Sequence, residues 1–294
     1  MAPFSDVLTD AVAAICQACD LDPTGATLIR NVNNAVIRLA CHPVVVRLVT
    51  LPSYVPRAEL AVTAATLFAE HDVPAIRLLP GVAQPVRAAG HVATLWQAVP
   101  SVGPAPTGAD LAATLLTVHG LPPPVGALPR WDPLSDFRNR LRDAAELEPR
   151  DRRFLDRRSD ELAAALEQLR FPLRRAVVHG DAHLGNVIPG PAGPVLCDFD
   201  SCCIGPPEWD LTPMAVSAVR FGRPAAHQAD LAAGYGFDVT AWNGFEVLRD
   251  IRDLKIVAGV FPAPGRGPWV ATEFRRRMAS LRSGRREDRW SLTR

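Results

Sequence analysis

A chain of 294 residues that is 48% hydrophobic and 21% charged carries enough apolar material for a sizeable core, in one large or two modest domains. Its 32 Lys and Arg against 31 Asp and Glu leave a formal net charge of +1, which excludes a chain-wide polycation for coating nucleic acid. No window holds the ~18 to 20 consecutive apolar residues of a membrane-spanning helix, and the opening Met-Ala-Pro-Phe-Ser-Asp is read as lacking a secretory leader.

From Val7 to Ala18 apolar residues recur at helical spacing, until Asp22, Pro23 and Gly25 interrupt them. Thr27 to Leu39 and Val44 to Val49 have strand character and predict paired strands. Pro52 and Pro56 lead into a helix over Arg57 to His71, because Ala61, Ala64, Ala65, Leu67 and Phe68 share one face. Val73 to Leu79 and His91 to Val99 predict two further strands. Pro100 to Gly108 is dense in proline and glycine, which marks a hinge. Helical spacing then dominates, over Asp110 to His119 and Arg152 to Leu169. The expected plan is a small strand-rich lobe over 1–99 and a larger helical lobe over 100–294, with a cleft suited to a nucleotide between them.

The last twenty residues hold Arg275, Arg276, Arg277, Arg282, Arg285, Arg286 and Arg289, read as a solvated helix face in preference to a nucleic-acid surface. The six cysteines include a Cys16/Cys19 pair with no second C-x-x-C partner, so a zinc site is not expected, and reduced thiols in a cytoplasmic protein are.

Chemistry concentrates in AVVHGDAHLGNVIPGPAGPVLCDFDSCCIGPPEWDL, residues 176–211. A short apolar strand, Ala176 to Val178, delivers His179, Gly180 and Asp181 into a loop, and Asn186 follows five positions after Asp181. Val195 to Cys197 then leads into Asp198, Phe199 and Asp200. Two hairpin-linked strands would bring these polar side chains together. Phosphoryl transfer requires such a set, since phosphate charge must be neutralised by a metal while a carboxylate orients the attacking hydroxyl. Magnesium takes hard oxygen ligands, which suits Asn186 and Asp198, and Asp181 is placed to act on the hydroxyl.

HGDAHLGN followed by an apolar strand and DFD resembles the aminoglycoside phosphotransferase family, which is similar to choline kinases and to protein kinases. The resemblance implies an α+β, bilobal protein-kinase-like fold with a small antiparallel-sheet N-lobe and a mostly helical C-lobe. It implies Asp181 as catalytic base, Asn186 and Asp198 as magnesium ligands, Asp200 as an auxiliary acid near the metal, and His183 reaching the γ-phosphate. It further implies Arg47 of VVVRL in the place of the usual phosphate-holding lysine, with Glu59 as its partner on the following helix. A surface pair of Arg47 and Glu59 is the competing reading. The phosphate-covering loop falls at Asn31, Val32, Asn33 and Asn34, without the glycines that let a backbone approach phosphate closely. The backbone around Trp96, Gln97 and Ala98 would bind the nucleotide base. Asp210 resembles the buried acid that steadies the catalytic loop, Trp209 is expected in the core, and Glu208 is either a surface residue or a substrate contact.

The function so implied is transfer of the γ-phosphate of ATP or GTP, with magnesium, to a hydroxyl of a small molecule. Family membership favours an antibiotic acceptor, in resistance or self-resistance; the alternatives are a kinase of a primary metabolite such as an amino alcohol, or a nucleotide-binding pseudokinase regulator. A protein kinase is disfavoured, because only Ser201 to Glu208 separates DFD from EWD. The acceptor is expected to sit near Val216 to Phe221, Tyr235 to Trp242 and Phe245 to Val260, where Asp250 and Asp253 interleave with Arg249, Arg252 and Lys255 as on a solvated helix.

Overall fold

Burial alternates along β2 (Asn34–Arg38) and β3 (Val44–Val49), so one face of each strand is apolar and the other free for polar work. These strands form the middle of a five-stranded antiparallel sheet in the order β1-β2-β3-β5-β4, with β1 Thr27–Asn31, β4 Val86–Ala88 and β5 His91–Gln97. The apolar face, with Ile37, Val46, Leu48 and Leu95, packs on α1 (Asp6–Gln17), which buries Leu8, Ala11, Val12, Ile15 and Cys16 at helical spacing. Arg47 lies between Val46 and Leu48, opposite Val36 and Thr94, and therefore points away from that core. The computed structural model describes residues 6–31, 34–124, 126–263 and 265–292.

Helix α2 (Val55–Glu70) buries Ala61, Ala64, Ala65, Leu67 and Phe68 in a central core that also takes in Trp96, Leu196 and Phe199, so this core spans both lobes. The predicted strand over Val73 to Leu79 is instead an extended connection with isolated bridges, Ala75 to Leu196 and Leu78 to Trp96. Pro74 has no amide hydrogen to give a ladder, and the Arg77 guanidinium takes the carbonyls of Val73 and Ala75. The segment still ties the lobes, through Ile76 N–H to the Leu196 carbonyl at 2.9 Å and Leu196 N–H to the Pro74 carbonyl at 2.8 Å.

The larger lobe contains α3 (Gly108–His119), opened by a Thr107/Asp110 capping box, then α4 (Ser135–Asp143) and α5 (Pro149–Glu167). After the short strands described next come α6 (Glu208–Phe221), α7 (Ala225–Tyr235), α8 (Phe245–Ala258) and α9 (Pro268–Ser283). The strand leading into the His179–Asp181 loop, β6 (Ala176–Val178), pairs with β9 (Cys203–Gly205), while β7 (Val187–Gly190) pairs with β8 (Gly193–Leu196). The expected hairpin between the first strand and Val195 to Cys197 is thus replaced by two nested pairs. The arginine-rich end also departs from expectation. Arg277 is buried, bonded to Glu273 at 2.9 Å and set beside the Trp290 ring, so α9 uses that arginine to anchor the chain end. Among the described residues no helix is long and apolar enough to cross a membrane.

Candidate active site

The loop after β6 is held by one carboxylate. Asp210, in the first turn of α6, accepts the His179 amide at 2.6 Å on Oδ2 and the Gly180 amide at 2.7 Å on Oδ1. His119 of α3 reaches the same Oδ2 at 3.1 Å and is itself bonded to the Tyr235 hydroxyl at 2.8 Å. Gly180 has φ +81°, and a Cβ there would overlap the Ser201 carbonyl oxygen, so glycine is required twice over. The Trp209 indole donates to the Gly180 carbonyl at 3.0 Å. The buried His179 ring donates from Nε2 to the Cys197 carbonyl at 2.9 Å and accepts the Asp181 amide on Nδ1 at 3.3 Å, which fixes its tautomer.

Asp181 emerges from this fixed turn into the cleft. Asn186, closing a short 3-10 turn, donates its side-chain amide to the Asp181 carbonyl at 2.9 Å, and its own carbonyl accepts Cys197 N–H at 2.9 Å. The residue after Cys197 is Asp198, so Asn186 joins the two acidic loops, and Asp198 feels the charge of Asp181. Burial alone would raise the Asp181 pKa, but Arg252 above all, then Lys255 and His183, hold it well below the usual carboxylate range. Arg252 contacts Oδ1 directly, and Lys255 Nζ stands 3.9 Å from the same oxygen. Burial pushes the His183 imidazole below its ordinary range.

Asp198 has φ +73°, a left-handed backbone uncommon for a residue with a side chain. Phe199 between the two acids is fully buried against Phe68 of α2, Trp96 of β5 and His179, with ring centroids at 5.1, 5.8 and 6.1 Å. That plug fixes the position of Asp198 and Asp200 on either side. Both acids meet Arg47, whose Nη2 lies 3.0 Å from Asp198 Oδ1 and 3.0 and 3.1 Å from the Asp200 oxygens. Arg30 of β1 reaches Asp198 at 3.4 Å, and the Asn34 amide reaches Asp200 at 3.4 Å. Burial would raise Asp198, but hydrogen bonding with Asp200 and the charges of Arg47 and Arg30 hold it below the ordinary range. Asp200 goes the other way: burial, opposed by Arg47 and helped by the charge of Asp198, pushes it up to about 6.

These residues suit a divalent cation. The Asn186 side-chain nitrogen is spent on Asp181, which leaves its Oδ1 as a third hard oxygen beside two carboxylates. Among the described residues no group of three or more His, Cys, Asp or Glu could hold a metal ion. A cation here would complete its shell with water and phosphate oxygens, as magnesium does.

Other expected members are placed differently. Glu59 pairs with Arg87 at 2.6 Å, both half exposed, while Arg47 reaches the two aspartates; on α2 it is Arg57, Ala58 and Ala61 that line the small cavity beside Arg47 and Asp200. The Gln97 amide donates to the Arg77 carbonyl at 2.9 Å and the Ala98 amide to the Pro43 carbonyl at 2.8 Å, so these two amides are engaged within the sheet lobe. Asn33 and Val32 lie outside the described residues. Glu208 is neither surface nor substrate contact: it is fully buried and accepts the Leu173 amide at 2.7 Å. The residues missed were Arg252 and Lys255, since a solvated face was expected where α8 turns two cations onto the catalytic loop. Their three-residue spacing was the available signal.

The sequence profile described as APH, the phosphotransferase enzyme family, matches residues 30–251. No curated protein matches. Among solved structures, the chain is similar to an amicoumacin kinase, hAmiN, in complex with AMP-PNP, Ca2+ and Ami (13% identity, 98% of this chain and 96% of that one, TM-score 0.67). It is also similar to a choline/ethanolamine kinase family protein from Mesorhizobium loti (16% identity, 94% of each chain, TM-score 0.66). A third is the aminoglycoside phosphotransferase APH(3'')-Id from Streptomyces rimosus (18% identity, 85% of this chain and 99% of that one, TM-score 0.62). At these identities the structural likeness speaks to the fold.

Proposed function

We infer that this chain, which belongs to the phosphotransferase enzyme family, moves the γ-phosphoryl group of ATP or GTP onto a hydroxyl of a small molecule. The observation that carries the reading is the joining of Asp181 to Asp198 through Asn186, at the mouth of the cleft between the sheet and the helical lobe. Asp181 orients the acceptor hydroxyl and takes its proton; the depressed pKa keeps it ionised. Magnesium held by Asn186, Asp198 and Asp200 supplies neutralisation of phosphate charge. Arg47, whose Nη2 meets both aspartates, holds phosphate oxygens on the sheet side, with Asn33 and Asn34 assigned to the same task. His183 supports the γ-phosphate from the catalytic loop. The base lies along the Gln97–Ala98 connection, and Glu59 takes no part.

For the acceptor class we take antibiotic modification, by analogy with the named kinases above, with a primary metabolite as the alternative. The test is transfer of labelled γ-phosphate from ATP and from GTP. Asp181→Asn should reduce transfer by roughly 10²- to 10⁴-fold while nucleotide binding survives, and Asp198→Ala should impair both. Wild-type transfer by Asp181→Asn would refute the assignment.

A further inference from the structure

We propose that Arg252 and Lys255 are acceptor-binding cations, and that the acceptor carries an oxyanion, a carboxylate or a phosphate ester, beside the hydroxyl it presents to Asp181. This rests on the phosphotransfer reading and narrows its acceptor, antibiotic or metabolite, to an anionic one, which sets aside a polycationic aminoglycoside and an amino alcohol.

Three observations carry it. First, both cations converge on the carboxylate of Asp181, at Oδ1, from the helical lobe, and Lys255 also approaches the Gly180 carbonyl at 3.4 Å. The phosphate side of the cleft already has Arg30 and Arg47 on the opposite, sheet wall. Second, Arg252 is only 8% exposed, and its Nη1 is buried with no hydrogen-bond partner. A buried guanidinium nitrogen left unsatisfied is a strong donor without an acceptor, and an oxyanion is the group whose geometry it matches. Third, the charge around it is lopsided. Arg57 and Arg140 share Asp136, and Tyr54 lies under both guanidinium groups at 4.8 and 6.0 Å from its ring centre. Lys255 is within electrostatic reach of Asp136 and Arg57, so the wall carries Arg57, Arg140, Arg252 and Lys255 against Asp136 and Asp181. The acids of α8 do not offset this, because Glu246 is taken by Arg286, Asp250 by Arg158 and Arg249, and Asp253 is buried on Arg220. A polycationic acceptor or an amino alcohol would meet like charge here; an anion would bridge two donors.

The test uses the full-length protein, magnesium, labelled ATP and matched acceptors: gluconate, glucose and glucosamine; glycerate, glycerol and 2-amino-1,3-propanediol; and glycerol 2-phosphate to separate phosphate from carboxylate. The expected result is kcat/KM for the anionic members at least about tenfold above their neutral and amine counterparts. Arg252→Gln and Lys255→Gln should each raise the acceptor KM by roughly tenfold, leave the nucleotide KM within about twofold, and erase the preference, with Arg252→Lys recovering part of it. Equal or better use of neutral or amine members overturns the proposal. So does a fall in kcat at constant acceptor KM, which would place the cations on the transferring phosphoryl group. If no member is labelled, the charge assignment falls; nucleotide hydrolysis against water in the same tubes then leaves the phosphotransfer reading standing, and its absence sinks that reading too.

Discussion

Replacing Asp210 by Asn changes no shape, which makes it a clean probe of how the catalytic loop is held. The carboxylate is fully buried, and its two oxygens accept the amides of His179 and Gly180 at 2.6 and 2.7 Å. An asparagine keeps one acceptor oxygen and turns an NH2 group toward the other amide, so one bond becomes neutral and the second becomes donor against donor. Hydrogen bonds to a charged group contribute about 1.5–3 kcal/mol and neutral ones about 0.5–1.5 kcal/mol, which gives an expected loss of about 2–5 kcal/mol. Set against a total stability of ~5–15 kcal/mol, the variant should fold, with a visibly lower urea midpoint. Hydrogen exchange should localise the effect to the amides of residues 179 and 180, and kcat should fall because Asp181 is the next residue. An unfolding free energy within about 1 kcal/mol of wild type, with amide protection unchanged, would refute the idea that this carboxylate holds the loop.

Three further outcomes follow from packing and charge. Phe199→Ala empties the site between Phe68, Trp96 and His179 and should cost about 3–5 kcal/mol by chemical denaturation; a loss below ~1 kcal/mol would mean the plug is not needed. Arg220→Ala strands Asp253, which is 1% exposed and receives Arg220 Nε at 3.0 and 3.1 Å, at an expected cost of about 3–5 kcal/mol; Arg220→Met with Asp253→Leu should recover much of it, and no recovery would argue against a charge penalty. Asp200, pushed up to about 6, keeps its proton in the metal-free fold beyond the ordinary carboxylate range, so its contribution to metal-free stability declines as pH rises toward about 6 and is flat above it. If Asp200 is a ligand of the proposed magnesium, binding has to displace that proton, so the rise in melting temperature on adding magnesium should weaken as pH falls below about 6 and hold steady above about 7; a pH-independent response would remove Asp200 from the proposed metal site.

What could be read along the chain was whatever neighbouring residues decide. The buried stripe of α1 follows helical period, and the apolar run Val44–Val49, broken only by Arg47, reads as a strand. HGDAHLGN and DFD place their polar groups at strand ends by spacing alone, and Gly180 declares a backbone that no other residue fits. What the fold alone decided was the identity of charge partners. Arg47 meets Asp198 across 151 positions, and Glu59, twelve residues away, goes to Arg87. The mixed charges of α8 read locally as a solvated face, yet tertiary packing buries Asp253 on Arg220 and turns Arg252 and Lys255 onto Asp181. The reason is physical: period and turn chemistry act over a few residues, whereas a charge takes whichever opposite charge the assembled core brings within a few ångströms, and no local pattern encodes that choice.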